Sequence, residues 1–439
     1  MNHPHTHHEV IPVRRGEEPT PSRVSRRMLL LASAFTLAVS HMRQVALAQE
    51  AATPPGGPEG GPPSGGPGGG PGAGDASEPF VGVTTDGQVI PDLFPIQVTG
   101  VSTEPVRLAG EAFLAALTDE QRAAALFAVD DDEWRLWSNV DSYERQGVSL
   151  RQMSEEQRRA AFDLMTASLS ADGLETSRSI MLLNHTQGEL MNNFDRFDED
   201  LYWFTVMGEP SDTEPWGWQV DGHHLIINYF ILGDQVVMTP TFLGSEPTVA
   251  PVGTDYAGVS VLQAEQNDAL ALIRTFTAEQ LAEAIVEAVK TDANLQAGAF
   301  SDNAVIPYAG IPATKLDDDQ RQGLLNLIQV WVGKMGNGHA AIRMGDVTAH
   351  LDDTWLAWIG GTELESVFYY RIHSPVILIE FDHQAPGPLG QDSDFYGGSM
   401  APSRFHIHAI MRTPNGNDYG KDLLAEHYAT SPHHATPAS

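Results

Sequence analysis

LTDEQRAAALF, residues Leu117 to Phe127, holds the signal from which the fold can be read. Thr118 stands three residues before Gln121, ahead of an apolar run. A threonine hydroxyl in that place can accept from a backbone N–H left free at a helix start, while the glutamine reaches back to the threonine's own N–H. Leu117, just before, occupies the position of a hydrophobic staple. The arrangement recurs as Ser154-Glu155-Glu156-Gln157 after Met153, Thr277-Ala278-Glu279-Gln280 after Phe276, and Asp317-Asp318-Asp319-Gln320 after Leu316. Four such starts, spaced in two pairs, predict two helix pairs and point to a duplication.

Strand-like segments follow each pair. YWFTVMGE (202–209), GWQVDGHHLIINYFI (217–231) and QVVMTPTFLG (235–244) belong to the first half, and TWLAWIGG (354–361), VFYYRIHSPVILIEFDH (367–383) and FHIHAIMR (405–412) to the second. Gly208 to Tyr229 and Gly361 to Phe381 share a shape: a glycine after a tryptophan-containing strand, an acidic turn, an aromatic pair and an apolar strand. The expectation is an α+β fold, an internally duplicated helix pair plus antiparallel β-meander with pseudo-twofold symmetry. Its halves run over about 105–250 and 260–430 of a single domain at 79–432.

The rest of the chain reads differently. Ser25-Arg26-Arg27-Met28-Leu29-Leu30 has the form of a twin-arginine export signal, followed by an apolar stretch to Val39 and a small-residue cleavage pattern at Ala46-Leu47-Ala48. That stretch is shorter than the roughly 20 residues a spanning helix needs, so no membrane insertion is expected once a leader at 1–48 is removed. Residues 49–78 are rich in proline and glycine and lack an apolar pattern, the composition of a disordered tether; residues 433–439 read as a tail. The protein is expected to be periplasmic or secreted. The 439 residues include no cysteine, which excludes disulfides and thiolate metal sites. The formal charge of −33 becomes −36 without the six arginines and three glutamates of the leader, a field that repels nucleic acid.

Strand alternation decides which side chains share a face. In FHIHAIMR, His406, His408, Ile410 and Arg412 lie on one face, and Phe405, Ile407, Ala409 and Met411 on the other. Glu380 and Asp382 share a face of VILIEFDH, and His224 shares one with Ile226 and Asn228. If the last two strands pair as a hairpin around the 385–402 insertion, Glu380, Asp382, His406, His408 and Arg412 converge. His224 reaches a related position through the duplication, in which Asn228 is the counterpart of Glu380.

Two imidazoles at i and i+2 with a carboxylate on the next strand form a ligand set for a divalent metal, zinc or iron, that leaves positions open for water or substrate. His406, His408 and Glu380 are the candidate metal ligands. His224 is a candidate fourth ligand or general base, Asp382 a candidate catalytic carboxylate, and Arg412 a candidate anchor for a substrate carboxylate. A plain polar strand face with satisfied hydrogen bonds is the competing reading. His223 is expected to be a packed histidine behind the site. The Trp216-Gly217-Trp218 and Tyr369-Tyr370 clusters read either as pocket wall or as core.

Across GEPSDTEPWGWQVDGHHLIINY (208–229), TPTFLG (239–244), FYYRIHSPVILIEFDHQ (368–384) and HIHAIMRTPNGNDYGKDLL (406–424), the chain resembles the DUF3500 family, a domain of unknown function common in bacteria and fungi. The family pattern of Gly-His-His, an acidic strand, then His-x-His followed by Arg falls on Gly222-His223-His224, Glu380, His406, His408 and Arg412. The chain departs from shorter members at Asp382-His383-Gln384 and in the insertion that follows. The resemblance makes His-x-His a family hallmark and implies no particular activity. Two functions are expected from different classes: an exported metal-dependent, hydrolase-like enzyme acting on a small organic substrate, or a non-catalytic extracytoplasmic binding protein.

Overall fold

In the computed structural model, which describes residues 78–291 and 293–431, two stretches of chain each run from a helix pair through two short strands and a second helix pair to three longer strands, after which they differ. The first runs α1 (Glu104–Ala116), α2 (Asp119–Ala125), β1 (Leu126–Phe127), β2 (Val148–Ser149), α3 (Glu155–Ser168), α4 (Ala171–Met191), β3 (Tyr202–Met207), β4 (Trp216–Gly222), β5 (Leu225–Leu232), β6 (Gln235–Val237) and β7 (Thr241–Ser245). The second runs α5 (Gln263–Ile273), α6 (Ala278–Ala284), β8 (Ile285–Glu287), β9 (Ile311–Pro312), α7 (Asp318–Val332), α8 (Asn337–Ala349), β10 (Trp355–Gly360), β11 (Phe368–His373), β12 (Leu378–His383), α9 (Pro388–Asp392), β13 (Ile407–Arg412) and α10 (Lys421–Thr430). The leader, the tether up to residue 77 and the 433–439 tail lie outside the described residues. No helix among the described residues is long and apolar enough to cross a membrane.

All four capping boxes form. Each cap side chain accepts from the glutamine N–H three residues on at 2.8–3.3 Å. Each glutamine side chain accepts in return from the cap N–H at 2.8–3.1 Å. The glutamines do more than start helices. Gln157 donates to Gln121 at 2.7 Å and to Ala116 O at 2.9 Å, tying α3 to α2 and to the end of α1. Gln320 makes the equivalent bonds, donating to Gln280 at 3.0 Å and to Thr275 O at 3.0 Å. Each pair of boxes therefore both orders its helices and clips them together, and both jobs satisfy polar groups at the buried joint.

The strands form one sheet in the order β1-β3-β4-β5-β7-β13-β12-β11-β10-β8, with β2, β6 and β9 beside β3, β5 and β10. The fold is α+β, but the sheet is mixed where a purely antiparallel meander was expected. β1 runs parallel to β3 and β8 parallel to β10. Parallel pairing needs a long crossover, and α3–α4 and α7–α8 provide it. The pairing expected around the 385–402 insertion is present: β12 and β13 are antiparallel, with Asp382 opposite His408. The stretches 217–231 and 367–383 are each a hairpin, turning at His223-His224 and at 374–377.

Both faces of the central strands are buried. Leu225, Ile227, Ile379, Phe381, Ile407 and Ala409 pack toward the helices. Ile226, Phe242, Leu378 and Ile410 pack on the other face against Trp134, Trp137 and Tyr419. Each such side chain contributes about 1.5–3 kcal/mol by leaving water. A polar group on the second face must therefore find a partner or a ligand. The order β5-β7-β13-β12 puts strands of both stretches side by side at the middle of the sheet, and the candidate site lies there.

Candidate metal centre

His224 comes from the turn between β4 and β5 with φ +65°, a left-handed conformation uncommon for a residue other than glycine. His408, on β13, stands opposite Gly244 of β7. A Cβ at Gly244 would lie 3.0 Å from His224 Cδ2 and 2.7 Å from Ile407 O, so the missing side chain makes room for the two imidazoles to meet. His406 stands one residue ahead of β13. Its Nδ1–H donates to Ala385 O at 2.7 Å, which leaves Nε2 with the lone pair.

The three rings converge through their Nε2 atoms. His406 and His408 are 3.0 Å apart there, and His224 and His408 3.1 Å. Ligand atoms of all three lie within 4.8 Å of one another. Nitrogens held 2.0–2.1 Å from one ion would stand ~3.0 Å apart at right angles and ~3.4 Å apart at tetrahedral corners. No set of neutral tautomers satisfies both contacts. If His408 Nε2 carries a proton, it points at one neighbour and leaves the other contact unmade. If it carries a lone pair, it faces the lone pair of His406. Protonation does not resolve this, because burial, followed by the neighbouring imidazoles, holds His224 and His408 well below the usual histidine range. Burial also lowers His406, against the opposing pull of Glu246. A cation shared by three lone pairs satisfies the arrangement, and imidazole nitrogens are donors suited to transition metals.

The surroundings hold the rings in place. His223 stacks on His224 with centroids 3.9 Å apart and takes part in a 2.8 Å hydrogen bond through Nδ1 to Asn184 Oδ1, as expected for a packed histidine behind the site. Glu246, just after β7, is 1% exposed, and one of its carboxylate oxygens lies 3.7 Å from His406 Nδ1. It accepts from Gly387 N at 2.7 Å, Leu389 N at 3.2 Å and Tyr396 Oη at 2.9 Å. The 385–402 insertion is an ordered strap carrying α9, docked on this buried carboxylate. Sequence reasoning passed over Glu246, since TFLGSEP shows only a strand end before a proline.

The structure does not bring Glu380, Asp382 or Arg412 to the histidines' nitrogens. All three share the sheet face with His408, Asp382 directly opposite it, but each is engaged by other groups. Glu380 accepts from Gln296 N, Ala297 N and Tyr369 Oη at 2.6–3.1 Å. Asp382 pairs with Lys290 at 3.1 Å and accepts from Asn294 N and Leu295 N. Arg412 spends its guanidinium on Ala297 O, Gly298 O, Asp302 and Asp418 at 2.7–3.0 Å. These residues clamp the 294–302 segment, and Arg412 serves there as an internal tie. Asp418 accepts from that guanidinium and from Thr413 N.

That clamped segment supplies Leu295, Gly298 and Ala299 to one wall of a cleft of about 520 Å³. His224, His406 and His408 line it, Gly387 and Pro388 of the strap form another wall, and Arg196 and Asp141 also border it. Trp216, Trp218, Tyr369 and Tyr370 are all buried to within 1% and do not line this cleft, which decides the aromatic clusters as core.

No curated protein and no solved structure matches the chain. A family profile described as "Protein of unknown function (DUF3500)" matches residues 99–421, a span that includes both sets of strands, His224, Glu246, His406 and His408. The chain therefore belongs to the DUF3500 family.

Proposed function

We propose that His224, His406 and His408 hold one divalent transition metal, zinc or iron, at the floor of the cleft, and that the protein acts as a metal-dependent, hydrolase-like enzyme on a small organic substrate. The convergence of three neutral imidazoles at 3.0–3.1 Å, with no tautomer set that satisfies them, carries this reading. When bound, such an ion polarises a substrate carbonyl or acidifies a water. The chain's own residues orient the ligands: Ala385 O fixes the His406 tautomer, His223 packs behind His224, and the strap over Glu246 closes one side of the cleft. Hydrolysis of a panel of esters and amides by zinc-loaded and metal-stripped protein tests it. Turnover confined to the loaded form supports the reading, and equal turnover in both forms contradicts it.

One observation favours a non-catalytic ligand-binding protein instead. Glu380, Asp382 and Arg412, expected as metal ligand, catalytic carboxylate and substrate anchor, are all engaged inside the fold. Tight ligand binding without turnover on the same panel would support this reading. Two expectations complete the proposal. The repeated element order on either side of the β7–β13 junction supports an internal duplication with pseudo-twofold symmetry. The twin-arginine motif at 25–30 supports export, to be checked by locating the protein in cells carrying Arg26→Lys/Arg27→Lys.

A further inference from the structure

The strap at 385–402 closes over a carboxylate that has hydrogen bonds but no countercharge. Gly387 N, Leu389 N and Tyr396 Oη donate to Glu246 at 2.7, 3.2 and 2.9 Å, and Gln187 Nε2 at 3.4 Å. The first three of these donors belong to the strap, which helps to bury Glu246 to 1% exposure. Among the described residues, the only basic side chain within ion-pair distance of Glu246 is His406, at 3.7 Å, a neutral imidazole in the tripod. Neutral donors reduce the cost of taking a carboxylate out of water without cancelling it.

The His406 ring joins that strap to the tripod. Nδ1–H donates to Ala385 O, where the strap begins, while Nε2 faces His408. An ion on Nε2 withdraws electron density from the ring, which makes Nδ1–H a stronger donor to Ala385 O, and it brings Glu246 the positive charge its surroundings lack. That attraction is largest where water is excluded, hence with the strap down. The strap backbone lies directly against both groups: a Cβ at Gly387 would stand 2.8 Å from Glu246 Oε2 and 3.1 Å from His406 Cε1. Further out the strap is lightly held. Gln384 N donates to His406 O and Ser403 N to Gln384 O, which ties the base to the hairpin, and buried Leu389 seats the body. At the tip, Gly397 and Gly398, with φ +57° and +80°, have no atom within 4 Å of an added Cβ. A segment anchored in this way can open locally while the sheet beneath it stays folded.

We propose that the 385–402 strap is a lid latched by the metal: an ion on His224, His406 and His408 holds it down on Glu246, and loss of the ion releases it. This rests on the metal reading of the tripod. Gly387, Pro388 and Gln391 form a wall of the cleft, so the ligand site is complete only on the loaded protein. By linkage, the closed strap tightens the ion by the same factor as the ion favours the closed strap.

The test is amide hydrogen exchange in the full chain, zinc-loaded and metal-free, followed in strap peptides that contain Gly387 and Leu389, with α1 peptides as the reference for global opening. The strap amides should exchange ~10-fold more slowly in the loaded form, relative to α1, the size of a moderate coupling between sites. Tyr396→Phe removes one latch bond without touching a ligand, so it should speed strap exchange in the loaded form and weaken zinc binding several-fold. Glu246→Gln keeps the shape and removes the charge, so it should erase most of the zinc dependence, whatever it does to the absolute rates. Bound zinc with equal strap exchange in both forms, slowing of α1 to the same degree, or a zinc dependence undiminished in Glu246→Gln overturns the proposal and leaves the metal reading standing. Failure of the chain to bind zinc overturns both.

Discussion

His406-x-His408 and Glu380-x-Asp382 sit on neighbouring strands and share a sheet face, yet they have opposite fates. The carboxylates, with Arg412, are saturated: backbone amides of 294–297, Tyr369, Lys290, Asp302 and Asp418 meet them within 3.3 Å. The three histidines meet each other through atoms whose lone pairs cannot all be satisfied. A buried polar group with its partners supplied is part of the scaffold; a buried group without them marks a place for a ligand. The saturated patch and the unsatisfied tripod should therefore respond differently to substitution.

The largest effect belongs to the patch. Arg412→Met leaves Asp302 and Asp418 buried without their guanidinium and frees the 294–302 segment, so it should cost about 3–5 kcal/mol of stability in urea denaturation. A cost below about 1 kcal/mol would mean that Arg412 is spare, as a substrate anchor would be. Glu246→Gln should weaken metal binding ~10–100-fold by loosening the strap and the carboxylate beside His406, measured by competition with a chromophoric chelator. Unchanged affinity would confine Glu246 to holding the strap.

The third prediction concerns pH. Burial, opposed by Lys290, raises Asp382 to about 6. A carboxyl raised above its ordinary value of about 4 favours the fold while protonated, and that contribution is lost as pH rises through 6. Asp382→Asn should flatten the loss of stability between about pH 4 and pH 6, whatever it does to the absolute level, as read from melting curves. The smallest effect falls on the tripod: His408→Ala should change metal-free stability by no more than about 1 kcal/mol, because the loss of packing is offset by relief of lone-pair repulsion. A loss comparable to that of Arg412→Met would place His408 in the scaffold.

Much of the scaffold was legible in the sequence because its signals are local. Thr118/Gln121 and its three counterparts are four-residue patterns, and the alternation in FHIHAIMR assigns Ile407 and Ala409 to the helix side without any knowledge of their neighbours. His406-x-His408 was visible for the same reason. What escaped depends on chain that is distant in sequence. Nothing near Glu380 announces that Gln296 and Ala297 will donate to it from 84 and 83 residues away. His224 was placed on a strand face because a left-handed turn at His223-His224 carries no glycine or asparagine to mark it. Glu246 gains its meaning only when the strap, 141 residues on, folds back over it.

The most direct test is the metal content of the purified chain, measured by elemental analysis beside His406→Ala/His408→Ala. The account predicts about one equivalent of zinc or iron in the wild type and less than about a tenth of that in the double variant, with both chains folded. Equal metal in the two proteins, or none in a wild type refolded with either ion, would contradict it.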